Sequence, residues 1–232
     1  LTQIQAGLGT TDSEVKKTLT LFLLGLCVGM MFYGPLSDKF GRRNIILIGA
    51  VIYSITSIFS TFISSIEGLQ WLRLIQAIGA GACMVVGRAV IRDVFKGKQV
   101  AVMMSVVQVI MMIAPLLAPI VGVMVLYVFD SWRALFWVLT FFGSMAFFLT
   151  FFFLPETYKK EDRPKITIGE TFYNYFLIIK DRRSLGAMLG CALPAGVVFA
   201  YVTGSSYLYQ AQYGLSEFQF SILFGLNIVG VI

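Results

Sequence analysis

Apolar residues along this sequence gather into long runs of about twenty, the length that carries an α-helix across roughly 30 Å of hydrocarbon. Seven runs can be counted, near 19–33, 44–63, 69–91, 100–128, 134–154, 185–207 and from 218 onward, separated by short polar stretches. The first helix is expected to begin earlier, at Thr11, because Thr11 and Glu14 stand at capping-box spacing. The pattern predicts an all-α, polytopic transmembrane helical bundle.

Composition strengthens this reading. Of the 232 residues, 58% are hydrophobic and only 13% charged, too few charges to coat a water-soluble domain. The net charge of +6 does not point to nucleic acid, because Lys and Arg cluster in every second loop. Lys39, Arg42 and Arg43 lie in one such loop, Arg92, Lys96 and Lys98 in the next, and seven further basic residues between 155 and 184. By the positive-inside rule those loops are cytoplasmic, which puts the N-terminal end of the chain on the outer side. Arg133 and the pair Lys16 and Lys17 are the exceptions on that outer side.

The stretch 155–184 is the one long polar segment and divides the runs into two groups. We expect an N-terminal bundle over 1–155, a cytoplasmic central loop over 156–184, and the start of a second bundle over 185–232. Within the loop, Phe172, Tyr175, Phe176 and Ile179 read either as an apolar set of a short helix on the membrane interface or as a partly ordered linker. The chain opens on Leu1 and stops at Ile232 inside an apolar run, so it reads as truncated at both ends.

Little here suggests enzyme chemistry. There is no histidine, and Cys27, Cys83 and Cys191 each sit in an apolar run, so neither a metal site nor any other cofactor is expected. No Ser or Cys stands with a base at catalytic spacing, and no phosphate-binding glycine loop follows a strand.

The most specific segment is Gly34-Pro35-Leu36-Ser37-Asp38-Lys39-Phe40-Gly41-Arg42-Arg43, read as a tight turn whose glycines allow close backbone approach. It resembles the signature of the major facilitator superfamily at every defined position. The resemblance implies that Asp38 faces the positive end of a helix in the other half of the protein. It also implies that Arg42 pairs with Asp93, the two contacts together latching the outward-open state. Gly34, Gly41 and Arg43 complete that latch.

Arg73 lies about 9 Å of helix beyond Glu67, within or near the hydrocarbon. By itself it has two readings: facing protein or water, or snorkelling outward past Trp71. With Gln76 and Gly79 on nearly the same face, it resembles the family's second motif, which implies a part in proton coupling for Arg73 and Gln76. In the fourth run, Ala114, Ala118 and Gly122 form a small-residue ridge, and Pro115 and Pro119 bend the helix. This resembles the family's antiporter motif, with Ala114 and Ala118 standing in place of glycines and Val123 in place of the second of a glycine pair.

Leu154-Pro155-Glu156-Thr157 and the segments 199–207, 213–216 and 224–227 are similar to the bicyclomycin and chloramphenicol resistance branch. The resemblance then implies family helices two to eight out of about twelve, with the first helix and its acidic residue missing. It implies a monomeric multidrug efflux transporter in the bacterial inner membrane that exchanges small drug-like compounds for protons by alternating access. Tyr201, Ser205 and Asn227 are candidate polar contacts of the cavity. A metabolite porter of the same superfamily is the rival within transport, and a non-transporting receptor the rival outside it.

Overall fold

The computed structural model describes residues 2–158, 168–209, 213–214, 219 and 223. All regular structure among them is helical: α1 (Thr2–Leu8), α2 (Asp12–Phe40), α3 (Arg42–Phe62), α4 (Ile66–Val94), α5 (Lys98–Phe129), α6 (Arg133–Phe153), α7 (Ile168–Lys180) and α8 (Arg182–Tyr207). Among the described residues, α2, α3, α4 and α6 are long and apolar enough to cross a bilayer. Helices α5, with 32 residues, and α8, with 26, occupy two more of the expected runs. The run from 218 onward lies outside the described residues apart from isolated positions.

Helix ends follow from local chemistry. Thr11 caps α2, its hydroxyl accepting the Glu14 N–H at 3.4 Å. Only half of the capping box forms, because the Glu14 carboxylate turns instead to Lys17 at 2.5 Å and to Gln70 of α4 at 3.0 Å. Ser65 caps α4 through the Gly68 N–H at 3.2 Å. Asp130 ends α5 in the left-handed region, φ 46°, its N–H returning to the Leu126 carbonyl at 2.9 Å.

One expectation needs correction. The segment from Gly34 to Phe40 is not a tight turn but the last two turns of α2, and the chain breaks at Gly41 alone, φ 99°. The helix survives Pro35, where only one backbone donor is lost and a short bend is tolerated. Gly34 is not a point of close approach either: a Cβ there would stand 3.9 Å from Val85.

The chain divides into two compact units, one of Leu1–Val109 and Met124–Lys165, the other of Ile110–Val123 and Ile166–Ile232. The first unit is built on α4, which packs against α2 and α3, with α6 against α3. The α3–α4 crossing is close enough to require glycine on both sides. A Cβ on Gly79 would lie 2.7 Å from the Gly49 carbonyl oxygen, and one on Gly49 would run into the Ala82 methyl. Backbone contact of this kind replaces the hydrophobic effect, which cannot drive association in lipid. The buried hydroxyls in these helices bond within their own helix, as in Ser60 to the Thr56 carbonyl at 2.7 Å and Thr140 to the Phe136 carbonyl at 2.9 Å. In the second unit, α7 packs on α8, and Asp181 is the single residue between them.

Candidate functional site

Two polar clusters lie in the first unit. The first is centred on Arg42, the first residue of α3, which is only 8% exposed. Its guanidinium bonds to Asp93 near the end of α4 at 3.0 Å and to the Ser37 hydroxyl at 2.6 Å, and it pairs with Asp38. The break at Gly41 makes this possible, because it turns α3 back so that a residue of its first turn reaches the last turns of both α2 and α4. Asp38 keeps 40% of its side chain exposed, whereas Asp93 keeps 19%. The expected pair of Arg42 and Asp93 is therefore present, with Asp38 and Ser37 on the same cation.

Three residues that sequence reasoning did not place here complete the cluster. Glu156 accepts the Arg42 main-chain N–H at 2.8 Å, the Thr157 hydroxyl donates to Asp93 at 3.4 Å, and the Tyr158 ring lies 4.9 Å from the Arg42 guanidinium. Arg43 reaches the end of α6, donating to the Phe151 carbonyl at 2.8 Å with its guanidinium 5.3 Å from the Phe151 ring. The signal for Glu156 was the bare start of α3: Gly41 brings no side-chain cap, and the first turn holds no acid.

The second cluster surrounds Arg73 of α4. Its guanidinium donates to the Gln76 side-chain oxygen at 3.1 Å, and the Gln76 amide donates to the Ser57 hydroxyl of α3 at 2.6 Å. Ser57 in turn donates to the Tyr53 carbonyl at 2.6 Å. The guanidinium also lies over two aromatic rings, 5.5 Å from Phe22 of α2 and 4.9 Å from Phe136 of α6. Arg73 therefore faces protein rather than snorkelling past Trp71, which is 65% exposed. Gln76 and Ser57 are fully buried, so each needs the other as a hydrogen-bond partner. Among the described residues no carboxylate stands within ion-pair distance of Arg73. Phe22, Ser57 and Phe136 were not legible, because residues one helix away carry no spacing signal.

The remaining candidates belong to the second unit. Ala114, Pro115, Ala118, Pro119 and Gly122 all fall on α5, which stays helical through both prolines. Ala114 and Ala118 are exposed, and a Cβ on Gly122 would meet nothing within 4 Å. Tyr201 and Ser205 stand one turn apart on α8, the first 37% exposed and the second 3%. Asn227 lies outside the described residues. Among the described residues no group of His, Cys, Asp or Glu is arranged to hold a metal ion.

Comparison with known proteins places this geometry in context. The sequence matches the Major Facilitator Superfamily over residues 1–232. It is 36% identical over 230 residues to a bicyclomycin resistance protein homolog of Haemophilus influenzae, covering 99% of this chain and 58% of that protein. It is also 36% identical over 231 residues to the uncharacterized MFS-type transporter YdgK of Bacillus subtilis, again covering 99% of this chain and 58% of the relative. A multidrug resistance protein MdtL from a Shewanella species is 30% identical, over 95% of this chain and 55% of its own length. The chain thus spans a little over half the length of the curated relatives it matches. The crystal structure of the human organic anion transporter MFSD10 shares the fold, with a TM-score of 0.67 at 19% identity over 94% of this chain and 54% of that one. An all-helical bundle with apolar spans, a signature segment that folds around Arg42, and a match from end to end lead to one assignment: the chain belongs to the major facilitator superfamily.

Proposed function

We propose that this chain is part of a bacterial inner-membrane antiporter that exports small drug-like compounds in exchange for protons by alternating access. In this reading residues 1–155 contribute family helices two to six, and α8 begins the second half. The start of the chain lies on the outer side, as the distribution of basic loops requires.

The observation that carries the reading is the setting of Arg73. A guanidinium held in a bundle by an amide and two rings, with no carboxylate from the described residues, is poised to answer a charge supplied from elsewhere. In this reading a carboxylate of the family's first helix carries the proton. Its ionised form is stabilised by Arg73, and drug binding and protonation exclude one another. Gln76 holds the guanidinium in place. Arg42, with Asp38 and Asp93, acts with Gly34, Gly41 and Arg43 as the cytoplasmic latch of the outward-open state. The α5 segment from Ala114 to Gly122 serves as the antiporter-type packing and bending motif, and Tyr201, Ser205 and Asn227 offer polar contacts to substrate. The printed names of the bicyclomycin and multidrug resistance relatives support the substrate class.

The test uses the full-length transporter in inverted membrane vesicles, with a fluorescent dye reporting the pH gradient. Bicyclomycin, chloramphenicol and cationic dyes are added in turn. Substrate-induced collapse of the gradient, absent in Arg73→Ala, is the expected result. Uptake of a metabolite with no response to any of these compounds would leave the fold in place and remove the efflux reading.

A further inference from the structure

The hydrogen-bond chain that ends on Arg73 starts on another helix, and its polarity is fixed at each step. A serine hydroxyl carries one hydrogen and two lone pairs. The Ser57 hydrogen goes to the Tyr53 carbonyl at 2.6 Å, so toward α4 the oxygen can only accept. It accepts from the Gln76 amide nitrogen at 2.6 Å, which leaves the Gln76 oxygen turned to the Arg73 guanidinium at 3.1 Å. A reversed amide would set its NH2 against the N–H groups of Arg73, and its oxygen against a hydroxyl whose hydrogen is already spent.

Arg73 and Gln76 stand three positions apart on α4, so their bond by itself fixes neither side chain relative to the rest of the bundle. Ser57 does, because it belongs to α3. The backbone beside it is held close to α4: a Cβ on Gly79 would stand 2.8 Å from the nitrogen of Tyr53, one helical turn before Ser57. The Phe22 and Phe136 rings confine the guanidinium without offering a directed lone pair, and Gln76 is the hydrogen-bond acceptor it meets among the described residues. Ser57 and Gln76 are both 0% exposed, so bulk water does not compete for either bond.

We propose that Ser57 is a positioning residue of proton coupling: through Gln76 it holds the Arg73 guanidinium where its remaining N–H groups meet the proton-carrying carboxylate. The proposal rests on the reading of Arg73 as the partner of that carboxylate, and not on which compound is carried. No proton passes through Ser57. Losing its hydroxyl frees the amide end of Gln76, and the guanidinium then spreads over positions farther from the acid. The ionised acid is stabilised less, so it takes up its proton at a higher pH.

The experiment uses the full-length transporter without drug. Dicyclohexylcarbodiimide, an apolar reagent that attacks protonated carboxyl groups, is applied across a pH series, and mass spectrometry of the peptides follows the labelled acid in the first helix of the family. The pH midpoint of labelling reports the proton affinity of that acid. Arg73→Ala is expected to raise the midpoint by about 1–3 units, and Ser57→Ala to raise it by about 0.5–1. Ser57→Thr, which keeps the hydroxyl, should return it to the parent value. A midpoint moved by Arg73→Ala but not by Ser57→Ala overturns the proposal and leaves the coupling reading in place. A midpoint that neither variant moves overturns that reading and the proposal with it. A lowered melting temperature in Ser57→Ala with the midpoint unmoved marks a purely structural contact and also overturns the proposal. If Ser57→Ala does not fold, Ser57→Cys takes its place: sulfur is a weak acceptor, the same rise is expected, and an unmoved midpoint overturns the proposal equally.

Discussion

Arg43 donates to the carbonyl of Phe151 at 2.8 Å, and that carbonyl is free to accept because the residue four positions later is Pro155. A residue with an N–H at 155 would offer the Phe151 carbonyl its ordinary helical partner. The proline thus both ends α6 and leaves an acceptor pointing at α3. The bond is exposed, so its net worth is about 0.5–1 kcal/mol. A double-mutant cycle tests it: Arg43→Ala should lower stability in the parent and have little effect in the Pro155→Ala background. Equal losses in both backgrounds, read from detergent melting curves, would show that the two residues act independently.

The α3–α4 crossing makes a sharper demand on stability. Gly79→Ala places a methyl group 2.7 Å from the Gly49 oxygen, so the helices must part, at a cost of about 1–3 kcal/mol. Gly87→Ala on the same helix meets nothing within 4 Å and should leave the melting temperature unchanged or slightly raised. A neutral Gly79→Ala would mean that the crossing has slack.

Gln76 joins Arg73 to Ser57, so Gln76→Leu takes the acceptor from an Arg73 N–H and the donor from the Ser57 oxygen in one step. The expected loss is about 1–3 kcal/mol, set mainly by the Arg73 donor, because the Ser57 hydroxyl keeps its bond to the Tyr53 carbonyl. Arg73→Lys should not restore function lost in Arg73→Ala, since a compact ammonium lacks the planar group that reaches Gln76 and both the Phe22 and Phe136 rings. Transport of a drug in vesicles, normalised to folded protein, decides both points. A fully active Arg73→Lys would show that charge alone suffices.

The start of α8 should respond to acid. Ser184 donates to the Asp181 carboxylate through its hydroxyl at 2.7 Å and its N–H at 2.9 Å, and these bonds hold the carboxyl below the usual aspartate range. A group depressed in the folded state stabilises above its unfolded pKa, about 3.9, and that contribution is lost as pH falls through the lower folded value. Amide protection at Ser184 should therefore be constant from neutral pH down to about 4 and decline below it. Asp181→Ala should remove the protection at every pH. Loss of protection between pH 5 and 7 would assign it to another group.

The sequence by itself determined the all-helical class, the order of the spans and the membership signature, because lipid imposes a length and a hydropathy that few other constraints can mimic. Helical period determined that Arg73 and Gln76 share a face, whereas the pairing of Arg42 with Asp93 was implied by the resemblance of the signature segment. Thr11 announced the start of α2 for a similar reason: capping is decided within four residues.

What only the tertiary structure decided depends on contacts between helices. Whether Gly34 to Phe40 turned or continued as helix was a contest between one lost donor at Pro35 and the remaining ladder of bonds, and the ladder won. The glycines that matter for close approach, Gly49 and Gly79, look in sequence like any others, because the atom that excludes a Cβ belongs to another helix. Phe22 and Phe136 became partners of Arg73, and Glu156 the cap of α3, for the same reason. Hydrophobic period tells which face of a helix turns inward, but the identity of what it meets there is a property of the packed bundle.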